Sequence, residues 1–180
     1  MIRRLLPLAA ALCALAVANP ASAQLAKGAK APACATQGAE AGKAFAFNLT
    51  AALAKGPVVL YFYPKAFTQG CTAEAHAFAE AADDFHKAGA TVIGMSADDL
   101  DTLKKFSTEA CRDKFPVAIA SPQVIKAYDV DLARDGKSTG MTDRTTYVIG
   151  QDGRIAMAFS DFKPGEHITR SLAAVKALKH

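Results

Sequence analysis

Residues 57–74 read Pro57-Val-Val-Leu-Tyr-Phe-Tyr-Pro64-Lys-Ala-Phe-Thr68-Gln-Gly-Cys71-Thr-Ala-Glu74. The first seven form an unbroken β-branched and aromatic run closed by Pro64, the pattern of a central strand buried on both faces. From Cys71 to Ala88 the apolar positions Cys71, Ala75, Phe78 and Phe85 recur near helical spacing. Glu74, Glu80, Asp83, Asp84 and Lys87 fall largely elsewhere, so an amphipathic helix ended by Gly89 is expected. The junction places a cysteine where a buried strand turns into a helix. With Thr68 as N-cap, Cys71 occupies the third helical position, beside backbone N–H groups that have no intrahelical partner. The positive end of the helix dipole favours a thiolate there. Thr68 can turn its hydroxyl toward the same space, and Pro64, with a rigid ring and no N–H, can wall that space from water.

Outward from this segment, Ala90–Met95 reads as a second strand, which the helix joins to the first in a parallel crossover unit. A second helix is expected from about Asp98 to Cys111 on a Leu100, Leu103, Phe106, Ala110 stripe. A short strand at 115–120 and a short helix at 123–128 follow. Residues 24–42 read as an irregular lead-in and residues 129–143 as a loop. Arg144–Ile149 and Arg154–Phe159 flank Gly150-Gln-Asp-Gly153, a hairpin signal, and Ile168, Leu172, Val175 and Leu178 mark a closing helix.

The chain of 180 residues is 51% hydrophobic and 21% charged, with a net charge of +4 and mean hydropathy +0.11. That composition supports one packed core rather than disorder. The charge is small and without like-charge runs, which argues against nucleic-acid binding by phosphate neutralisation. Residues 1–23 carry Arg3 and Arg4, an apolar run from Leu5 to Val17 and the triplet Ala21-Ser22-Ala23. This is the layout of a secretory signal peptide, and the run is short of the roughly 20 residues of a spanning helix. Export to the periplasm is therefore expected, with residues 24–180 forming one mature domain that has no membrane attachment.

Removal of residues 1–23 takes Cys13 and leaves Cys34, Cys71 and Cys111, an odd number with no CxxC pair. Cysteine here reads as chemistry before architecture. Cys71 with His76 and His86 does not make a metal site, since the two histidines lie on different turns, and neither a metal nor a bound cofactor is expected.

Pro64-x-x-x-Thr68-x-x-Cys71-x-x-Glu74 resembles the active-site signature of peroxiredoxins, and the Phe-Tyr-Pro-Lys-x-x-Thr-x-Gly-Cys run is similar to their bacterioferritin-comigratory, or PrxQ, branch. The resemblance extends from Ala31-Pro32 through Val92-Ile-Gly-Met-Ser-Ala97 to Arg144-Thr-Thr-Tyr-Val-Ile149. The order of elements likewise resembles a thioredoxin-like α/β fold, a central mixed β-sheet flanked by helices. The resemblance implies a thiol-dependent peroxidase acting on hydrogen peroxide and small organic hydroperoxides. In it Cys71 is the peroxidatic cysteine, Thr68 bonds the peroxide, Arg144 stabilises the thiolate and the developing charge, Pro64 shields the pocket and Glu74 positions the arginine. A thioredoxin-like dithiol protein would be the reductant, and a monomer or weak dimer suffices.

Two positions depart from that pattern: Gln69 stands where many members have proline, and His76 where many carry a resolving cysteine. A subgroup of the branch resolves from the following helix, where Cys111 falls, so the resemblance makes Cys111 the resolving residue, at the cost of local unwinding. Plainer readings stand beside these. Cys111 and Cys34 can be packing cysteines, Arg144 a solvated residue at a strand start, and Glu74 an acid complementing the helix dipole. The rival functions are a one-cysteine peroxidase and a redox-inert binding module. A thiol-disulfide oxidoreductase would need a cysteine where Glu74 stands.

Overall fold

The computed structural model describes residues 24–178. The apolar run at 57–63 is strand β3 (Val58–Phe62), every residue of which is buried. It lies inside a seven-stranded mixed sheet, next to strand β4 (Thr91–Ser96) in parallel and strand β8 (Thr145–Ile149) in antiparallel. Strand β5 (Val117–Ile119) pairs parallel to β4, and β9 (Ile155–Ser160) pairs antiparallel to β8 across the expected hairpin.

Side chains of β3 alternate between two apolar layers, as a period of two requires. Val59, Tyr61 and Tyr63 join the layer that holds Cys71, Phe78, Phe106 and Cys111, whereas Val58, Leu60 and Phe62 join the layer that holds Cys34, Ile125 and Tyr147. The first layer is covered by helices α2 (Gln69–Lys87), α3 (Leu100–Glu109) and α5 (Gly165–Ala177), and the second by α1 (Leu49–Leu53) and α4 (Pro122–Ala127).

Three expectations are corrected. The lead-in is not irregular throughout, because strand β1 (Ala35–Glu40) forms a hairpin with β2 (Lys43–Asn48) and extends the sheet by pairing with β5. Ala- and Gly-rich sequence carries little strand preference of its own. Its pairing depends on tertiary fit: a Cβ on Gly38 would lie 2.5 Å from the Val117 carbonyl oxygen and 2.7 Å from the Phe45 ring. Residues 129–143 are likewise not a loop but a separate hairpin, β6 (Asp131–Arg134) and β7 (Lys137–Thr142). Its turn is Asp135-Gly136, both at positive φ, and this Asp-Gly pair is a hairpin signal that the polar composition obscures.

Helix α3 also stops earlier than its apolar stripe implies. Its C-cap is Ala110, so Cys111 sits in the turn beyond the helix rather than on it. The Cys111 N–H still donates to the Phe106 carbonyl, and Arg112 and Asp113 then turn the chain away at φ 54° and 58°.

Candidate active site

Helix α2 begins as the sequence requires. Thr68 is the N-cap in extended conformation, Gln69, Gly70 and Cys71 follow it, and the Thr72 N–H makes the first helical bond to the Thr68 carbonyl at 2.9 Å. At its other end Gly89 (φ 77°) closes a Schellman arrangement: the Ala90 N–H donates to the Phe85 carbonyl and the Gly89 N–H to that of His86. The helix is thus fixed at both ends, with the Cys71 sulfur at its N-terminal turn against the carboxyl end of β3.

Arg144, one residue before β8, is brought to the same point by the antiparallel pairing of β8 with β3. Its Nη2 donates to Cys71 Sγ at 3.3 Å, its Nη1 pairs with Glu74 Oε2, and its Nε donates to the Phe162 carbonyl at 3.0 Å. All three side chains are buried: Cys71 is 2% exposed, Glu74 0% and Arg144 5%. Arg144 is therefore not a solvated residue at a strand start, and Glu74 acts on a specific cation rather than only on the helix dipole. Gly70 leaves room for this approach, since a Cβ there would sit 3.2 Å from Arg144 Nη2 and press it back by a few tenths of an ångström.

The electrostatics follow from that burial. Desolvation pushes the Glu74 carboxyl up to about 7, against the opposing pull of Arg144. Burial works against the charge of Arg144, but Glu74 and Cys71 more than offset it and hold its pKa above the ordinary value.

Thr68 caps the helix by backbone geometry alone. Its side chain makes no cap bond, and its exposed hydroxyl donates to the Lys65 carbonyl at 3.0 Å, leaving the oxygen free to accept. Pro64 is half-buried at the start of this loop. The loop is tied down by Asp98, whose Oδ2 accepts from the Ala66 N–H at 2.7 Å and from the Ser96 hydroxyl at 2.8 Å. Phe67, at φ 62°, sets its ring edge-on against Phe106 and is 46% exposed at the rim.

The other cysteines lie elsewhere. Cys111 is 0% exposed in the same apolar layer as Cys71, both thiols are free, and burial drives the Cys111 thiol far above its ordinary pKa. Cys34 is buried in the opposite layer, where desolvation raises it to about 11. His86 is exposed and His76 half-buried on α2. A concavity of about 310 Å³ between α4 and the β6–β7 hairpin is lined by Ile125, Lys126 and Asp129, not by these cysteines.

The sequence alone singles out Cys71, Thr68, Pro64, Glu74 and Arg144, and the fold brings them to one end of β3. It misses Gly70, Asp98 and the Phe162 carbonyl, which support the site by their backbone or by short polar contacts. It also misses His167, considered below.

The AhpC/TSA family profile matches residues 27–158. Chloroplastic peroxiredoxin Q of Sedum lineare is 36% identical over 127 residues, covering 68% of this chain and 65% of the relative. Peroxiredoxin Bcp of Escherichia coli K12 is 33% identical over 112 residues, 61% of this chain and 72% of the relative. The chain thus spans slightly less than two thirds of the length of the plant relative. Among solved structures, peroxidoxin BcpB from Mycobacterium tuberculosis superposes with a TM-score of 0.75 at 30% identity, covering 86% of this chain and 98% of that one. The bacterioferritin comigratory protein of Xanthomonas campestris gives 0.67 at 29%, covering 78% and 90%. The fold is therefore the thioredoxin-like α/β fold of these neighbours.

Proposed function

The chain belongs to the AhpC/TSA family of peroxiredoxins, and on that premise we propose that it is a thiol-dependent peroxidase whose nucleophile is Cys71. The observation that carries this reading is the Arg144 Nη2 to Cys71 Sγ contact of 3.3 Å at the N-terminus of α2, with Glu74 behind the guanidinium. A thiolate there faces a fixed cation and a helix dipole, both aimed where charge resides before and during reaction.

The first step follows from that geometry. The Cys71 thiolate attacks one oxygen of hydrogen peroxide or a small hydroperoxide. An S–O bond forms as the O–O bond breaks, the sulfur is oxidised by two electrons to sulfenic acid, and the leaving oxygen departs as hydroxide or alkoxide and takes a proton from water. Arg144 stabilises the charge passing from sulfur to oxygen. The Thr68 oxygen accepts from the peroxide O–H, and Pro64 limits water. Cys111 then attacks the sulfenic sulfur, a disulfide forms and water leaves. An external thioredoxin-like dithiol protein restores both thiols by exchange.

In this reading the segment that carries the fully buried Cys111 opens to bring the two sulfurs together, since a disulfide needs Cα atoms within about 6.8 Å and mutually facing Cβ vectors. Its position beyond the α3 C-cap, before two non-glycine residues at positive φ, supports release: such residues carry about 1 kcal/mol or more of strain, which opening relieves. Residues 1–23, outside the described residues, serve as an export signal in this reading. The mature domain of residues 24–180 then works in the periplasm as a monomer or weak dimer.

The test is intact mass and peptide mapping of the reduced protein after one equivalent of hydrogen peroxide, with a sulfenate trap in a parallel sample. Loss of two hydrogens with a Cys71–Cys111 cross-linked peptide is the expected result. A trapped Cys71 sulfenate without that bridge replaces Cys111 by an external thiol, and an unmodified Cys71 overturns the peroxidase reading.

A further inference from the structure

Behind Glu74 lies a second buried side chain that the peroxide chemistry above does not use. His167, the third residue of α5, is 0% exposed. Its Nε2 lies 2.8 Å from the Asp161 carbonyl oxygen and its Nδ1 2.8 Å from the Thr146 hydroxyl, while the Phe159 ring packs across it with centroids 4.8 Å apart. A carbonyl only accepts, so Nε2 carries a proton and the neutral ring presents a lone pair at Nδ1.

That lone pair accepts from the Thr146 hydroxyl, while Nδ1 also lies 3.8 Å from Glu74 Oε1, which is buried without a hydrogen-bond partner among the described residues. The neutral, hydroxyl-bonded Nδ1 thus offers Oε1 no donor in a dry site, whereas the other carboxylate oxygen pairs with Arg144. A buried polar atom left unpaired is costly, and one proton taken up by this pair relieves it, on Oε1 by neutralising the carboxylate or on Nδ1 by setting an imidazolium beside it while the Thr146 hydroxyl turns to accept.

We propose that His167 is a positioning residue for the peroxide reaction: its Nδ1 and Glu74 Oε1 take up one proton between them, and that proton sets how firmly Glu74 holds Arg144 on the Cys71 sulfur. The proposal deepens the peroxidase reading and rests on it. Without the proton, Glu74 is a full anion and Arg144 is clamped between it and Sγ. With it, the charge opposite Arg144 is reduced or shared with the imidazolium, and the guanidinium is freer to leave the sulfur.

The groups facing His167 agree on where this happens. Burial raises Glu74 to about 7. Burial first, then Arg144 at the start of β8 and Arg170 on α5, disfavour the charged imidazole, while the Asp161 carbonyl and carboxylate in the β9–α5 connection favour it. The pair therefore binds its proton near neutrality, and the proton-free, clamped state prevails at higher pH.

The test measures oxidation of reduced Cys71 by one equivalent of hydrogen peroxide between pH 5.5 and 8.5, in the unaltered protein and in His167→Gln. The glutamine amide can still donate toward the Asp161 carbonyl but has no titrating nitrogen facing Glu74. In the unaltered protein the rate falls by about 10-fold on acidification beyond the fall in Cys71 alkylation by iodoacetamide, the size expected when a positioned group drifts. In His167→Gln the inflection moves by about one pH unit or more. Superimposable profiles overturn the proposal.

Because His167 is wholly buried, a second measurement needs no change at that position. The ring nitrogens are followed by NMR in the unaltered protein and in Glu74→Gln. Loss of the carboxylate lowers the His167 midpoint by about one unit if the two share a proton, and an unmoved midpoint overturns the proposal. Failure of the unaltered protein to react with peroxide, with the His167 midpoint still responding to Glu74→Gln, refutes the peroxidase reading instead and leaves the proton pairing in place.

Discussion

Replacing Arg144 by glutamine separates what the guanidinium does for the reaction from what it does for the fold. The substitution removes a charged donor 3.3 Å from the reacting sulfur. Loss of one donor aimed at developing charge costs about 3–4 kcal/mol of transition-state stabilisation, or about 100- to 1,000-fold in rate. It also breaks a buried ion pair with Glu74, a change that costs about 3–5 kcal/mol when the remaining charge has no escape. Here it has one, since the carboxyl lies near 7 even with Arg144 beside it and accepts a proton in the variant. A group whose folded pKa is raised contributes stability below its unfolded pKa, near 4.5, and loses that contribution as pH rises through the folded value. The stability deficit of Arg144→Gln relative to the unaltered protein is therefore modest at pH 6. Above pH 7 it widens, by up to about 1.4 kcal/mol per pH unit. Adding Glu74→Gln removes the stranded carboxylate, so the double variant regains stability at pH 8 without regaining rate. Stopped-flow oxidation by hydrogen peroxide and urea unfolding at pH 6 and 8 read the two effects. A folded Arg144→Gln within about fivefold of the parent rate, or a double variant that recovers it, refutes the reasoning.

Cys111→Ser leaves the first oxidation intact and makes the Cys71 sulfenate persist, which a dimedone mass adduct detects, whereas the parent protein closes its disulfide. Hydrogen exchange then shows lost protection in residues 106–116 of the oxidised parent but not of the serine variant. Thr68→Val keeps the shape of an exposed side chain and removes the oxygen that accepts from the peroxide, so the oxidation rate falls by about 10- to 100-fold with little change in stability. Asp143, half-buried, is raised by burial to about 6 against the Thr145 hydroxyl bond that lowers it. Asp143→Asn removes the ionisation cost and stabilises the protein by about 1 kcal/mol at pH 8, after allowance for solvent screening. Because the folded pKa is raised, that gain disappears below about pH 4, where the parent carboxyl is neutral in both states, and chemical denaturation at the two pH values reads it.

The central strand, helix α2 and the two parallel crossovers are legible because each carries its own period: a continuous apolar run, then a stripe near 3.6. The site is legible where a side chain carries the chemistry, as at Cys71, Glu74 and Arg144. What the sequence hides is set by partners distant along the chain. Strand β1 looks like linker because Gly38 contributes an absence of atoms, not a preference. The apolar stripe through Ala110 overruns the true end of α3, since the turn at Arg112 and Asp113 uses no glycine to announce itself. His167 sits at an unremarked position of a closing helix, and only the packing of α5 against β8 and α2 places its ring beside Glu74.

The alternation of β3 between two layers bears on the oxidative history of the molecule. Cys71 and Cys111 share one side of the sheet while Cys34 lies on the other, behind a wall of paired backbone. In the folded protein that wall acts as insulation: an oxidised Cys71 can discharge onto its own side but not through the sheet. A Cys34–Cys71 bridge within one chain therefore records an opening of the fold larger than the local release of Cys111. Because that bridge also consumes a two-electron oxidant, its abundance in a sample reports unfolding and oxidant met together.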